Sequence, residues 1–362
     1  ALLRLGPDEH VLLVELHHIV FDGWSGGVLL RELGACYAAL RSGGSPDLPE
    51  LPVQYADYAA WERSWAAGEA AAEQLAFWRR QLAGVPTLDL SGGRPRPPRP
   101  GYRGSRVPVV VGPELAERVR ALARAEHATP FMVLLAAFKL VLAHRGRARD
   151  LAVGVDVAGR GRVETEPLVG FFINELVLRT DLAGDPSLEE LLRRVRAATL
   201  DAYQNRDVPF SLVARELAGR RSLGTNPLFQ VMFGLDNTPR PEAALPGLRT
   251  TPVAVGTDVS VFELCLYLTE TPGGFNGSLR FRTDLFDEAA AEAMKSDFLA
   301  VLDLACGDPA RRVESVLDEL AARDRARRVE RARAAGEASR TPFPGIRRRA
   351  VPVTPTTEQQ TP

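Results

Sequence analysis

The sequence predicts an α/β fold built of α+β layers, with sheets covered by helices. Three observations predict it. Short apolar runs rich in valine, leucine and phenylalanine are bounded by Gly, Pro and Asp turn residues, as strands are. After about residue 104 these runs alternate with segments whose apolar residues recur at helical spacing. Of 362 residues, 45% are hydrophobic and 25% charged, globular proportions that exclude collagen, coiled coil and wholesale disorder.

The elements follow in order. Residues 9–16 form an apolar run between Gly6-Pro7 and Asp22-Gly23 and read as a strand. A helix is expected over 25–40, with Val28, Leu29, Leu33 and Tyr37 at helical spacing. Trp61, Trp65, Phe77 and Trp78 fall in a second helical stretch after Pro52. Pro95, Pro97, Pro98 and Pro100 make 91–104 a crossover that holds neither helix nor ladder. Residues 107–111 read as a strand, and Pro113 then opens a helix with the stripe Leu115, Val119, Leu122. The helix starting at Thr129-Pro130 is apolar almost all round and is expected to be buried. Strands are expected at 151–157, 173–180, 229–235, 259–268 and 278–281, and Ser187 with Glu190 forms a capping box for a helix reaching about Tyr203. From about Arg311 the chain is a charged helix, and from about Ala335 a Pro-rich linker.

The composition narrows function. Lys and Arg number 45 against 46 Asp and Glu, a balance of −1 that argues against non-specific nucleic-acid binding. Cys36, Cys265 and Cys306 lie far apart with no CxxC pair, so neither a disulfide framework nor a zinc site is expected. That pattern points to a reducing, cytoplasmic setting. The longest apolar run, 131–143, is interrupted by Lys139 and falls short of the ~18 residues a membrane span needs.

The chemistry concentrates in His17-His18-Ile19-Val20-Phe21-Asp22-Gly23. A histidine ending a strand can present its ring into a cleft while the strand fixes its backbone, as a general base requires. Asp22 could orient an imidazole or hold the loop through an ion pair, and Gly23 allows a tight turn. The competing reading is a core histidine beside an ordinary Asp-Gly turn. A metal site is disfavoured, because neighbours on a strand point to opposite faces and cannot readily chelate one ion.

These residues, with Trp24-Ser25, resemble the HHxxxDG signature of condensation domains from non-ribosomal peptide synthetases. Further blocks continue the resemblance in order to about residue 305. Tyr55-Ala56-Asp57-Tyr58-Ala59-Ala60-Trp61 is similar to YxDYAxW, and Val169-Gly170-Phe171-Phe172-Ile173-Asn174 with Leu178-Arg179 to GFFxNTLxLR. Asn205-Arg206-Asp207-Val208-Pro209-Phe210 resembles HQDxPFE, and Arg221-Ser222 through Asn226-Pro227-Leu228-Phe229 resembles RxxSxNPLFQ.

The resemblance implies two chloramphenicol-acetyltransferase-like lobes in a V, with the histidine motif at the floor between them. Residues 1–95 would be the C-terminal part of the first lobe, 96–310 the second lobe, and 311–362 a charged helix and linker. The family places a substantial stretch before the motif, so the first lobe is expected to be incomplete in this chain. The implied reaction is amide formation between a donor acyl or peptidyl thioester and the α-amine of an acceptor aminoacyl thioester. Both would arrive on 4'-phosphopantetheine arms of upstream and downstream peptidyl carrier domains, with an adenylation or tailoring domain adjacent. No cofactor of the domain's own, no nucleic acid and no membrane are implied.

By position His18 would be the catalytic histidine and His17 its structural neighbour. Asp22 would be structural, paired with Arg179. The Gly23 N–H would face the reacting carbonyl, and Trp24, Ser25 and Asn174 would be tunnel candidates. Glu175 replaces the family's threonine and would add a carboxylate if it faces the tunnel. The histidine and glutamate of HQDxPFE are replaced by Asn205 and Ser211. The alternatives are an epimerisation or starter-type relative, or a non-catalytic carrier-docking or scaffold module. The retained His17-His18 pair speaks against the cyclisation subtype.

Overall fold

The computed structural model describes residues 1–91, 97, 101–217, 228–236, 245–253, 256 and 258–340, the last six as backbone only. Most of the expected crossover, the 221–227 part of the RxxSxNPLFQ-like block and the Pro-rich tail from 341 lie outside the described residues. By internal contacts, residues 1–317 form one unit and 318–362 a second. The described part of the second is helical, as far as Arg340. Among the described residues no single helix is long and apolar enough to cross a membrane.

The first unit is mixed α/β, as expected. A short antiparallel pair, β1 (Leu2–Arg4) and β2 (His10–Leu12), opens the chain. Helices α1 (Gly23–Arg41), α2 (Tyr55–Ala66) and α3 (Glu69–Gln81) follow. A six-stranded sheet then forms from β3 (Gly104–Val111), β4 (Asp150–Ala158), β5 (Ile173–Asp181), β6 (Val231–Asp236), β7 (Leu264–Thr271) and β8 (Gly274–Arg282). Its order is β3-β8-β7-β6-β4-β5, with β6 parallel to both its neighbours and every other pair antiparallel. Pro108 is tolerated in β3 because that strand lies at the sheet's edge, where a missing N–H costs no ladder bond.

One face of the sheet is covered by α4 (Pro113–Ala125), α5 (Pro130–Gly146), α6 (Leu188–Gln204) and α8 (Glu288–Gly307). Helix α5 is the hub: every residue from Met132 to Ala143 is buried. Phe138 packs on Phe233 of β6 at 6.0 Å and edge-on to Phe298 of α8 at 6.4 Å between ring centroids. Lys139 is the cation inside this core. Its Nζ donates to Leu178 O (2.6 Å) and Thr180 Oγ1 (2.7 Å), and burial pulls its ammonium down to about 7. Caps act where the sequence places them. Thr129 accepts from Met132 N–H, and Ser187 from Glu190 N–H.

Several expectations are corrected. The strand expected over 9–16 holds only for His10–Leu12, and His18 lies on a 3-10 turn (His18–Val20) rather than at a strand end. The stretch after Pro52 is two helices, broken at Ala67-Gly68. Helices α7 (Phe210–Leu217) and α8 were not anticipated. The strand expected from 259 begins at Leu264, and residues 261–263 form a bend.

Candidate active site

The 3-10 turn ties both histidines to its own backbone, in opposite senses. His17 Nδ1 accepts from Ile19 N–H at 3.1 Å. His18 Nδ1 lies 2.7 Å from Phe21 O. A carbonyl only accepts, so His18 carries its proton on Nδ1 and leaves the Nε2 lone pair available. His18 is exposed, and its ring meets the edge of Phe171 at 5.2 Å.

Directly after the turn, Asp22 caps α1. Its Oδ1 accepts from Ser25 N–H (2.8 Å) and Ser25 Oγ–H (2.7 Å), and its Oδ2 from Phe172 N–H (3.1 Å). Arg160 reaches both carboxylate oxygens, at 3.1 and 3.3 Å. Burial acts to raise the Asp22 carboxyl, but the Ser25 and Phe172 hydrogen bonds and the Arg160 charge outweigh it and hold it below its usual range. Arg160 also donates to Leu168 O (2.8 Å) and Ser25 Oγ (2.9 Å), and its guanidinium sits 4.0 Å over the Phe172 ring.

This corrects the expected partner of Asp22. Arg179 instead pairs with Asp150 at the start of β4, diagonal to it across the β4–β5 pair. It donates there through Nε (2.9 Å) and Nη2 (2.6 Å), and through Nη1 to Gln81 O and Ala83 O. Arg179 is six residues along β5 from Ile173, and a strand rises about 3.3 Å per residue, so its side chain belongs to the other end of the sheet. Arg160 was missed by sequence reasoning. Its signal was an arginine between two glycines, Gly159 and Gly161, where the backbone packs closely: a Cβ on Gly159 would collide with Phe172 O.

Ser25 and Trp24 are held in the framework rather than presented to a tunnel. Ser25 is buried and also accepts from Gly170 N–H (3.0 Å), while Trp24 Nε1–H donates to Glu166 O (2.9 Å). Gly23 is exposed at the first turn of α1, with open space where a Cβ would stand.

Asn174 joins two of the blocks. Its Nδ2 donates to Arg206 O (2.7 Å) and Val208 O (2.8 Å), and its Oδ1 accepts from Phe210 N–H (2.8 Å). Tyr55 joins another pair: its hydroxyl donates to Phe171 O (2.8 Å), and its ring meets Phe172 edge-on at 5.2 Å.

Between these blocks lies a cavity of about 830 Å³, lined among others by Tyr55, Tyr58, Trp61, Phe171, Asn174 and Glu175. Glu175 therefore faces the cavity. Burial pushes its carboxyl up to about 7, and neighbouring Asp156 adds to the rise. Burial pushes the Asp156 carboxyl up, outweighing the lowering effect of the Tyr267 hydroxyl, which donates to it at 2.8 Å. Among the described residues no three His, Cys, Asp or Glu side chains cluster as metal ligands.

Comparison with known proteins assigns the chain to a family. A family model for the condensation domain matches residues 1–323. A linear gramicidin synthase of Brevibacillus parabrevis is 42% identical over 319 residues, 87% of this chain and 4% of that protein. The dimodular nonribosomal peptide synthase of Bacillus subtilis (strain 168) is 41% identical over 320 residues, 85% of this chain and 14% of that one. The X-domain from teicoplanin biosynthesis superposes with a TM-score of 0.81 at 31% identity, covering 86% of this chain and 73% of that chain. The same domain in complex with OxyB gives 0.75 at 31% identity, over 83% and 68%. The chain belongs to the condensation-domain family of non-ribosomal peptide synthetases, and its layers are the chloramphenicol-acetyltransferase-like fold of that family. Such domains are acyltransferases that form amides. The chain spans only a small part, 4% and 14%, of these two curated relatives.

Proposed function

We propose that the chain forms an amide bond between a carrier-bound donor acyl or peptidyl thioester and the α-amine of a carrier-bound aminoacyl thioester. The observation that carries this is the exposed His18, whose Nδ1–H is committed to Phe21 O and whose Nε2 is left to accept a proton. An α-amine has a pKa near ~7.7–8.0, so much of it is already neutral at pH 7–8. The proton that needs removal is the one on the ammonium nitrogen of the zwitterionic tetrahedral adduct, formed when the amine attacks the thioester carbonyl. His18 Nε2 orients the amine and takes that proton, and the thiolate of the donor arm departs. The Gly23 N–H, at the open first turn of α1, donates to the developing oxyanion. His17 and the Asp22–Arg160 pair fix the turn without touching substrate.

The cavity's size and aromatic walls fit an extended 4'-phosphopantetheine arm, which belongs to the partner carrier domains and enters as part of the substrate. Residues 1–95 contribute to the first lobe and 96–310 to the second, with an adenylation or tailoring domain as further neighbour, in a reducing cytoplasm. The test supplies donor- and acceptor-loaded carrier proteins and follows the transferred amide by mass spectrometry, with H18A as control. Amide that depends on His18 supports the reading. Absence of amide, with carrier binding intact, favours the second reading of a docking or scaffold module, which the likeness to an X-domain solved with OxyB supports.

A further inference from the structure

A row of polar groups crosses four strands on the sheet face away from α5. On β6, Phe233 points into the helical layer against Phe138, so Gly234 beside it opens to the other face. Tyr267 of β7 is the register partner of Gly234, and its ring lies over that glycine: a Cβ there would meet ring atoms at 2.5 Å. The missing side chain lets the Tyr267 hydroxyl pass across β6 to Asp156 on β4 at 2.8 Å. Asp156 is in turn the register partner of Glu175 on β5.

Two carboxylates directly opposite on one sheet face repel. Asp156 is exposed and Glu175 half-buried, and among the described residues no lysine or arginine forms an ion pair with either. Of the two arginines that line the cavity, Arg162 lies over the Trp61 ring at 4.5 Å, and Arg206 stands exposed just past the end of α6. Glu175 projects from this acidic row into a cavity walled in part by Tyr55 and Tyr58, whose ring faces also favour a cation. Among the residues that line the cavity, the acids Glu62, Glu175 and Asp207 outnumber Arg162 and Arg206.

We infer that Glu175 is a specificity-determining residue that selects a substrate whose side chain carries a positive charge, an ammonium or guanidinium. The inference rests on the condensation reading and deepens it. A cation seated on Glu175 relieves its repulsion with Asp156 and supplies the charge-assisted hydrogen bonds that a neutral isostere cannot.

The test measures calorimetric affinity of the 362-residue chain for two pairs of hydrolysis-resistant pantetheine amides, lysyl against norleucyl and Nα-acetyl-lysyl against Nα-acetyl-norleucyl. The free-amine pair reports the acceptor and the acetylated pair the donor. A lysyl preference of about tenfold is expected in one pair. In E175Q and in E175T, the residue common in the family, that ratio falls to near one, with circular dichroism checking the fold. Equal affinity within both pairs for the unmodified chain overturns the inference, as does failure of all four amides to bind. A preference that survives both variants overturns it too, by moving selection to another group. Amide formation from norleucyl substrates with no lysyl preference leaves the condensation reading standing and the inference fallen. A Glu175-dependent lysyl preference without amide from any carrier pair does the reverse.

Discussion

Arg160 and Asp22 close on one another with both side chains only 2% exposed, joining the start of α1 to the loop that follows β4 across 138 residues of chain. The carboxylate receives donors from Ser25, Phe172 and Arg160, so the pair is the nail that holds the histidine turn against the sheet. Removing either partner strands the other as a buried, uncompensated charge. D22A or R160A is therefore expected to cost ~3–5 kcal/mol in urea unfolding. R179A breaks a part-buried pair with Asp150, more open to water than Asp22–Arg160, and should cost less, about 1–2 kcal/mol. An equal loss from R160A and R179A would contradict this division.

His18 is exposed and makes one side-chain hydrogen bond, so its removal should barely touch the fold. H18A should leave the melting temperature nearly unchanged while slowing amide formation by ~10²–10⁴-fold. H17A, which loses only the bond to Ile19 N–H, should slow it far less. A comparison of single-turnover rates for the two variants checks the assignment.

The carboxyl of Glu175 lies at about 7 in the folded chain against 4.5 in an open one. A raised acid contributes stability that is full below pH 4.5 and is lost as pH climbs through 7. Asp156 is raised as well and works in the same direction, while Tyr267, pushed upward by burial and by Asp156, stays protonated throughout. E175Q removes the largest of these contributions. Its stability relative to the unmodified chain should improve by ~1–3 kcal/mol between about pH 4.5 and 7.5, as denaturant midpoints across that window would show.

Gly234 leaves room for the Tyr267 ring, and filling that room should be felt at Asp156. G234A is expected to destabilise by ~1–3 kcal/mol through overpacking. The double variant G234A/Y267F should cost less than the sum of its parts, since the crowded tyrosine has already lost its hold on Asp156. Strict additivity in denaturant unfolding would separate the two residues.

The second half of the fold was readable in the sequence because its signals there are local. Pro113, Thr129 and Ser187 announce helix starts at the positions the structure uses, and the all-round apolar run of α5 could only be a buried helix. Residues 9–16 misled, since an apolar run sets burial tendency and not pairing. Only three of those residues find a partner strand. Within the site, the histidine motif and its glycine were visible as a pattern. The partner of Asp22 was not, because ion pairing depends on which side of the sheet a chain returns to. Arg160 and Arg179 differ in that, and not in residue type. The Tyr267–Asp156–Glu175 row was equally hidden: its members are joined by strand order, which no single segment specifies.

The opposite attachment of the two imidazoles has a dynamic consequence. A second proton on His17 would set an N–H against the N–H of Ile19 and force the turn to shift. His18 can gain and release a proton at Nε2 with its Phe21 bond intact throughout. In the proposed reaction the turn would then stay fixed while the proton comes and goes, with no resetting movement of the chain between one substrate pair and the next.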